Sequence, residues 1–389
     1  MAVASMERNY YRLSAIFFGS FISIYLFFSP LLSISHQPNP FRHRPFYERV
    51  CPESGPDSAA PLNQASLSME ISKAVARITE RDRNAVVVST AINKEAAKEN
   101  LPHFLRSLTL VTPPMIQNAI VFCLDKWSCD KCAILHTDPS LCLFMNLGVS
   151  EGSLAPQLGS RDFKARSYWR LTYGRVFATL KIHSEGVSVL PVDVDAVMLL
   201  NPFASSEEIP EKPDSIAALI DTVPFEFSSP NTGLLLNGGF LYFPATNPRS
   251  AILTNEVIRD IWKESCTAQN EQLVTTTVLK ELYNKTIGTT MDQPRILDYM
   301  KYKSFCSTKC GTSKFRRITS IEDLHNLEKE MEGAPDFKEC TKEHRKKWVF
   351  FHAACTAWPD MKSDDLAKAK GAVQVAIMEW VKEARNNGH

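Results

Sequence analysis

The chain has 389 residues, of which 44% are hydrophobic and 22% charged, and its formal net charge at pH 7 is +1. This composition is that of an ordinary globular protein with enough apolar residues for a large core. The near-zero net charge argues against a general affinity for nucleic acid, so we expect no nucleic-acid partner. Binding of an anionic ligand would then depend on local charges.

An apolar, uncharged segment over residues 13–34 dominates the N-terminal region. As a helix it is long enough to cross the roughly 30 Å hydrocarbon core of a bilayer. We predict an uncleaved transmembrane signal-anchor over 13–34, after a cytoplasmic tail over 1–12 and before a stem over 35–83. The alternative is a signal peptide that is cleaved after Ser35. Either way, the globular domain over 84–389 is predicted to be exported.

The end of the predicted stem has a helical pattern of apolar residues from Ser66 to Arg83. Two interpretations are open for this segment. It either belongs to a stem that holds the domain away from the membrane, or it is an extra helix that packs on the domain.

All ten cysteines lie in the part of the chain predicted to be exported. An oxidising compartment favours disulfides as their role. The alternative is a zinc site built from the pairs Cys129–Cys132 and Cys306–Cys310, but their spacings differ and no histidine stands at finger spacing. Asn284 begins the N-glycosylation sequon of the chain, which is consistent with a luminal glycoprotein.

From residue 84 onward, short β-branched runs alternate with helical patterns, which predicts βαβ units. Strands are predicted at 85–88, 119–124 and 187–194, and helices at 94–108 and 163–183. A cysteine-rich segment that continues to about Gly159 is predicted to be irregular. The fold class is therefore α/β, with a Rossmann-type, mainly parallel sheet flanked by helices. Such sheets bind ligands at the carboxyl ends of their strands, where Ser89-Thr90, Asp125 and the acidic motif Asp193-Val194-Asp195 follow.

The acidic motif Asp193-Val194-Asp195 lies between two apolar runs, Leu190–Val192 and Ala196–Leu200. Burying two like charges in apolar surroundings costs several kcal/mol unless a cation compensates them. Carboxylate oxygens suit Mg²⁺ and Mn²⁺, whose remaining positions are typically taken by water and phosphate oxygens. The alternative is a solvated loop without a ligand, but the apolar flanks favour a metal site.

Three later segments carry further candidate residues. Asn237-Gly238-Gly239 stands between apolar runs, which suits either a hairpin turn or a close backbone approach to a ligand. Glu271 and Gln272 fall at a predicted helix start, where they either face a sugar or act as a solvated cap. His352 follows a predicted strand at Trp348–Phe351, and Lys362 precedes the last predicted helix. His352 is a candidate third metal ligand and Lys362 a candidate phosphate ligand.

In their order along the chain, these elements resemble the nucleotide-diphospho-sugar glycosyltransferases. The resemblance is carried by Gly186–Phe203 with its acidic pair, then Asn237–Phe240, Glu271-Gln272, and the late strand that ends in His352-Ala353. These are GT-A-type, type II membrane enzymes, and the chain is similar to plant wall arabinosyl- and xylosyltransferases. The resemblance implies a Golgi or ER enzyme whose catalytic domain is luminal and whose acceptor is a hydroxyl of a glycan or protein.

The resemblance also implies roles for individual residues. Asp193 and Asp195, with His352, would hold Mn²⁺ or Mg²⁺ and, through it, the diphosphate of a nucleotide-sugar donor. The residues expected near the nucleotide, the phosphates, the sugar or the acceptor are Ser89, Thr90, Asn93, Arg175, Lys362, Asn237, Gly238, Gly239 and Gln272. Glu271 and Asp221 are candidate bases, although the resemblance favours a retaining reaction, which can proceed without one.

Two other functions are compatible with an acidic metal site. One is a metal-dependent phosphohydrolase, which would typically show a second cluster of acidic and histidine residues. The other is a luminal protein of the same fold that binds a glycan or nucleotide sugar but has no turnover.

Overall fold

The computed structural model describes residues 64–145, 166–204, 207–220, 236–265, 271–289, 293–304, 310, 318–354 and 363–386. The predicted cytoplasmic tail, transmembrane segment and most of the stem lie outside these ranges. Among the described helices, none is both long enough and apolar enough to span a bilayer.

The strands of the described residues are short, most of them three to seven residues. They are β1 Val87–Ile92, β2 Ala119–Cys123, β3 Cys142–Phe144, β4 Val189–Pro191, β5 Ala196–Met198, β6 Ala217–Ile220, β7 Leu236–Tyr242, β8 Arg295–Ile296, β9 Tyr302–Ser304 and β10 Phe350–His352.

Most of the helices connect strands or pack on the sheets that the strands form. They are α1 Gln64–Arg81, α2 Lys94–Glu99, α3 Leu101–Leu110, α4 Lys126–Leu135, α5 Arg166–Ser184, α6 Glu208–Glu211, α7 Pro248–Ser265, α8 Glu271–Thr286, α9 Ile321–Glu330, α10 Lys342–Arg345 and α11 Ser363–Asn386. Short 3₁₀ helices occur at Ile116–Asn118, Pro139–Leu141 and Pro335–Cys340.

The central sheet has the strand order β3-β2-β1-β4, and all its pairs are parallel. Antiparallel bridges from Val189 to Phe243 and from Val192 to Phe240 join its β4 edge to β7. Strand β7 pairs antiparallel with β6, and β8 pairs parallel with β6. The protein is thus mixed α/β with a parallel four-stranded sheet flanked by helices, which confirms the mainly parallel sheet predicted from the sequence. A second sheet of order β5-β10-β9 starts just after the acidic motif.

Apolar side chains fill both faces of the central sheet, because alternate residues of each strand point to opposite faces. On one face, helices α1, α5, α7 and α8 cover Val87, Ile120 and Phe122. On the other face, α2 and α3 pack against Val88 and Val121, together with residues of the second sheet. A third apolar cluster joins α9 and α11 to β10.

Helix α1 packs directly on this domain. Its buried residues in the first apolar cluster are Leu67, Ile71, Ala74, Val75 and Ile78. Of the two interpretations left open for Ser66–Arg83, packing on the domain is therefore the one that the structure shows.

Three local expectations need correction. Strand β1 does not end at Ser89-Thr90 but continues through them to Ile92, because they pair in register with Ile120 and Val121 of β2. The predicted helix over 94–108 is two helices, α2 and α3, separated at Asn100. The segment predicted to be irregular contains α4 and β3, and a capping box on Asp125 begins α4.

The cysteines that the structure describes favour disulfides over zinc. Cys132 is bonded to Cys142 and Cys310 to Cys340. Each bond takes one cysteine from one of the two candidate zinc pairs, so the zinc alternative is wrong for those pairs.

A buried ion pair ties the second sheet to the third apolar cluster. Lys303 in β9 has a side chain that is only 1% exposed, and its Nζ donates to Oε2 of Glu339 at 2.8 Å. Burial lowers the pKa of Lys303, and Glu339 opposes that shift. We expect Lys303→Met to reduce the free energy of unfolding by about 3–5 kcal/mol, because it leaves a buried carboxylate without its cation.

Urea denaturation measures this effect. The matched control is Lys263→Met, which removes an exposed ion pair with Asp260 and should change the free energy of unfolding by about 1 kcal/mol or less. The double variant with Glu339→Leu should recover part of the loss. Equal effects of Lys303→Met and Lys263→Met would show that the buried pair contributes no more than a surface pair.

Candidate functional site

The acidic motif forms a turn between β4 of the central sheet and β5 of the second sheet. The Val192 amide donates to the Ser89 carbonyl at 2.8 Å, and the Asp193 amide donates to the Gly239 carbonyl at 3.2 Å. The turn closes when the Ala196 amide donates to the Asp193 carbonyl at 3.1 Å. Both carboxylates therefore lie at the carboxyl-end edge of the parallel strands, where ligands bind in such sheets.

Strand β10 brings His352 to these carboxylates. His352 is the register partner of Ala196, the residue that follows Asp195. Its Nε2 lies 3.0 Å from Oδ1 of Asp195 and 3.3 Å from Oδ2 of Asp193. Ligand atoms of the three residues lie within 4.8 Å of one another. The antiparallel pairing of β10 with β5 thus brings His352 into contact with carboxylates that lie more than 150 residues earlier in the chain.

Asn237 fixes the orientation of the His352 ring. Its Oδ1 accepts from the Gly239 amide at 2.7 Å and lies 2.8 Å from Nδ1 of His352. Its Nδ2 donates to Oγ of Ser304 at 3.3 Å. Because Oδ1 of Asn237 is an acceptor, the His352 nitrogen next to it, Nδ1, must carry a proton. The other ring nitrogen, Nε2, faces the carboxylates.

The two glycines beside Asn237 provide space for these groups. Gly238 and Gly239 lie inside strand β7, so the hairpin-turn interpretation is wrong. A Cβ at Gly239 would lie 2.4 Å from the His352 ring and 2.8 Å from Oδ1 of Asn237. A Cβ at Gly238 would lie 3.1 Å from the end of the Arg175 side chain and 3.5 Å from Gln272. His352 can therefore occupy this position only if residue 239 is a glycine.

Basic side chains from two helices flank the acidic pair. Arg175 of α5 forms an ion pair with Asp193, and Lys370 of α11 forms one with Asp195. Burial opposes ionisation of both carboxyls, but these cations and His352 outweigh it and hold the pKa of Asp193 and of Asp195 below the usual range. Burial also opposes protonation of His352, yet the two carboxylates raise its pKa to about 9. The site therefore favours positive charge between its two carboxylates.

The chemistry of these three residues fits a divalent metal. Two ionised carboxylates and an imidazole that releases its Nε2 proton on binding are a ligand set that suits Mn²⁺, while Mg²⁺ prefers oxygen ligands throughout. The Asp193 side chain is 33% exposed but the Asp195 side chain only 10%. An ion held here would have protein on the Asp195 side and an approach for further ligands on the Asp193 side.

The remaining predicted site residues differ in where the structure places them. Arg175 and Gln272 lie beside Gly238, and Arg175 also pairs with Asp193. Ser89 and Thr90 are buried inside β1, whereas Asn93 accepts from the Ala96 amide at 3.0 Å and caps α2.

The structure does not describe the side chains of three other candidates. Glu271 is the first residue of α8, but its side chain lies outside the described part of the structure, as do Lys362 and Asp221. Their predicted roles stay predictions.

Sequence reasoning missed three residues of this site. Lys370 and Gln374 both reach the acidic turn from α11, and Ser304 at the end of β9 supports Asn237. Lys370 and Gln374 stand four residues apart in a predicted helix, so they share one face. Two long polar side chains on the same stripe of the C-terminal helix, next to the small and apolar residues of 371–378, were the signal that would have indicated them.

Comparisons with known proteins place the chain in a family. The profile of the nucleotide-diphospho-sugar transferases matches residues 114–366, a span that contains the acidic turn, Asn237 and His352. No curated protein matches the sequence significantly.

Two solved structures are similar at 12% sequence identity over 70% of this chain. The apo WbbM bifunctional glycosyltransferase aligns with a TM-score of 0.37, and the alignment spans 46% of its chain. The apo form of mouse xyloside xylosyltransferase 1 aligns with a TM-score of 0.38 over 99% of its chain. The chain thus spans less than half the length of WbbM. On the family profile, this protein belongs to the nucleotide-diphospho-sugar transferases, a family of glycosyltransferases.

Proposed function

We propose that this protein is a metal-dependent glycosyltransferase that moves a sugar from a nucleoside-diphosphate donor to a hydroxyl of a glycan or glycoprotein. The observation that carries the proposal is the convergence of Asp193, Asp195 and His352 at the carboxyl-end edge of the parallel sheet. Family membership supports a nucleotide-sugar donor. The imidazole ligand favours Mn²⁺ over Mg²⁺.

The chain's own residues would have distinct tasks in such a reaction. A bound divalent ion supplies Lewis-acid stabilisation of the charge that develops on the leaving diphosphate. Asp195 and His352 would hold the buried side of the ion site, and the more exposed Asp193 would face the donor. Gln272, which lies beside Gly238, would orient the sugar. We propose a retaining course, as the family resemblance implies.

We further propose a GT-A architecture behind an N-terminal signal-anchor, with the catalytic domain in the lumen of the Golgi or ER. The disulfides Cys132–Cys142 and Cys310–Cys340 support an oxidising compartment. The sequon residue Asn284 lies exposed on α8, which is compatible with a glycosylated luminal surface.

The test is an assay of the full-length protein against a panel of nucleotide sugars, with release of the nucleoside diphosphate as the readout. We expect release with one or a few donors in the presence of Mn²⁺ and none after chelation of the metal. Added glycan acceptors should increase the rate, and the anomeric configuration of the product shows whether the reaction retains.

Two other results would favour the alternative functions. Tight binding of a nucleotide sugar without any release of diphosphate would indicate a binding protein. Release of inorganic phosphate from simple phosphate esters would indicate a phosphohydrolase. Within the described residues, the structure contains one group of three or more potential metal ligands, and it is the one at Asp193, Asp195 and His352. A single-metal site suits diphosphate binding better than two-metal hydrolysis.

A further inference from the structure

The acidic turn is held from behind by one side chain of the last helix. Gln374 of α11 is 1% exposed. Its Nε2 donates to the Val194 carbonyl at 2.9 Å and to the Ala196 carbonyl at 2.8 Å. These carbonyls flank Asp195, so both hydrogens of one amide group are bonded to the backbone that carries a metal ligand.

A second buried amide sets the orientation of Gln374. Nδ2 of Asn100 donates to Oε1 of Gln374 at 3.1 Å and to the Ala367 carbonyl at 3.1 Å. If the Gln374 amide were flipped, its oxygen would face two carbonyl oxygens and its nitrogen would face a donor. The flipped arrangement is excluded because buried donors and acceptors must be matched. Hydrogen bonds therefore hold both the oxygen and the nitrogen of the Gln374 amide.

Helix α11 packs closely against the end of α2, which allows its side chains to reach the acidic turn. A Cβ at Gly371 would lie 2.4 Å from the Glu99 carbonyl at the end of α2, so only glycine permits this distance between the helices. One residue earlier, Lys370 bonds Oδ2 of Asp195 at 2.5 Å. Helix α11 thus contacts the turn through the backbone at Gln374 and through the Asp195 carboxylate at Lys370.

We propose that Gln374 is a positioning residue that sets the separation of the Asp193 and Asp195 carboxylates and thereby the affinity for the metal. The inference rests on the proposed function, because it requires that the acidic turn binds a divalent ion. Its physical basis is that a metal site needs its ligand atoms held before the ion arrives, and outer groups that hold the ligands commonly control affinity. Gln374 bonds the backbone on either side of Asp195 and not the Asp195 carboxylate, so its effect is transmitted by the backbone of the turn.

The test is direct Mn²⁺ binding to the full-length protein, measured by titration calorimetry or by the electron paramagnetic resonance signal of free Mn²⁺. Gln374→Met keeps the length of the side chain and removes both donors. We expect its dissociation constant for Mn²⁺ to rise about 10- to 100-fold. The matched control is Gln117→Met at an exposed position, which should leave the constant unchanged.

A purely structural role predicts a different result. In that case the folded fraction and the thermal midpoint of Gln374→Met would fall, but the folded protein would bind Mn²⁺ as the wild type does, which would overturn the proposal. If Gln374→Met does not fold, Asn100→Leu is measured instead, since it removes the group that orients Gln374, together with the bond to the Ala367 carbonyl, and keeps both donors of Gln374. It should weaken Mn²⁺ binding in the same direction, and unchanged binding would again overturn the proposal.

The wild-type titration separates this inference from the proposed function. If the wild type binds Mn²⁺ and releases nucleoside diphosphate while Gln374→Met binds equally well, the function stands and the role of Gln374 is rejected. If the wild type binds no Mn²⁺, the metal-dependent function fails and the inference fails with it.

Discussion

The double variant Asp193→Asn/Asp195→Asn is expected to lose nucleoside-diphosphate release by about 10³-fold or more at saturating donor. Metal-ion stabilisation of a leaving group is worth several kcal/mol, and about 4 kcal/mol corresponds to about three orders of magnitude in rate. Both carboxylates are ionised in the folded protein, because Arg175, Lys370 and His352 hold the pKa of each below its usual range. Asparagine keeps their shape but removes the charge that attracts a divalent ion.

Asparagine is a better choice than alanine at these positions. Asp195 is buried and pairs with Lys370 and His352, so a small apolar residue would leave those groups without hydrogen-bond acceptors. The amide oxygen of asparagine still accepts from one of them, although its amino group replaces the second acceptor oxygen. We therefore expect a lower thermal midpoint but a folded protein, which circular dichroism can verify.

The control for the carboxylate variants is Asp138→Asn. Asp138 lies before β3, at the opposite edge of the sheet, where it bonds Ser140. Its replacement should leave diphosphate release unchanged. Full activity of the Asp193→Asn/Asp195→Asn variant in Mn²⁺ would falsify the metal-site hypothesis, whatever the behaviour of the control.

The second large effect is expected from Gly239→Ala. The added methyl group would lie 2.4 Å from the His352 ring and 2.8 Å from Oδ1 of Asn237. Both neighbours are buried and bonded to each other, so neither can move without breaking a hydrogen bond. We expect activity to fall about 100-fold, since a displacement of about 1 Å at a reactive site has that effect. Overpacking should also reduce the free energy of unfolding by about 1–3 kcal/mol.

Gly238→Ala is a matched control one residue away in the same strand. Its methyl group would meet the end of the Arg175 side chain at 3.1 Å and Cγ of Gln272 at 3.5 Å. These are side chains that can shift by a few tenths of an ångström, so the loss of activity should be under about tenfold. Activity and Mn²⁺ binding are measured for both variants. Equal effects at the two glycines would contradict the role of Gly239 in placing His352.

The sequence predicted the parts of the site that depend on local pattern. The apolar runs around Asp193 and Asp195 indicated a buried strand and turn, and the structure has β4 and β5 there. The run before His352 indicated a short strand, which is β10. Local apolar periodicity was sufficient to predict these strands, because a strand that is buried on one or both faces of a sheet has a recognisable pattern of apolar residues.

Other sequence predictions were wrong where tertiary contacts determine the local secondary structure. Gly238 and Gly239 suited a hairpin turn locally, yet they lie in β7, which pairs antiparallel with β6, and the His352 and Arg175 side chains lie beside them. Ser89 and Thr90 were expected after a strand but lie within β1, since pairing with β2 extends it. Turn propensity and strand length are weak local signals, and neighbouring strands override them.

By itself, the sequence determined the alternation of strands and helices, the position of the acidic pair and the chemistry that two such carboxylates require. The tertiary structure alone decided which distant groups complete the site: His352 through its pairing with Ala196, Asn237 beneath His352, and Lys370 and Gln374 from the last helix. The reason is physical. Hydrophobic periodicity records whether a residue is buried, but a hydrogen bond or ion pair across more than 100 residues depends on strand register and helix packing, which no local pattern specifies.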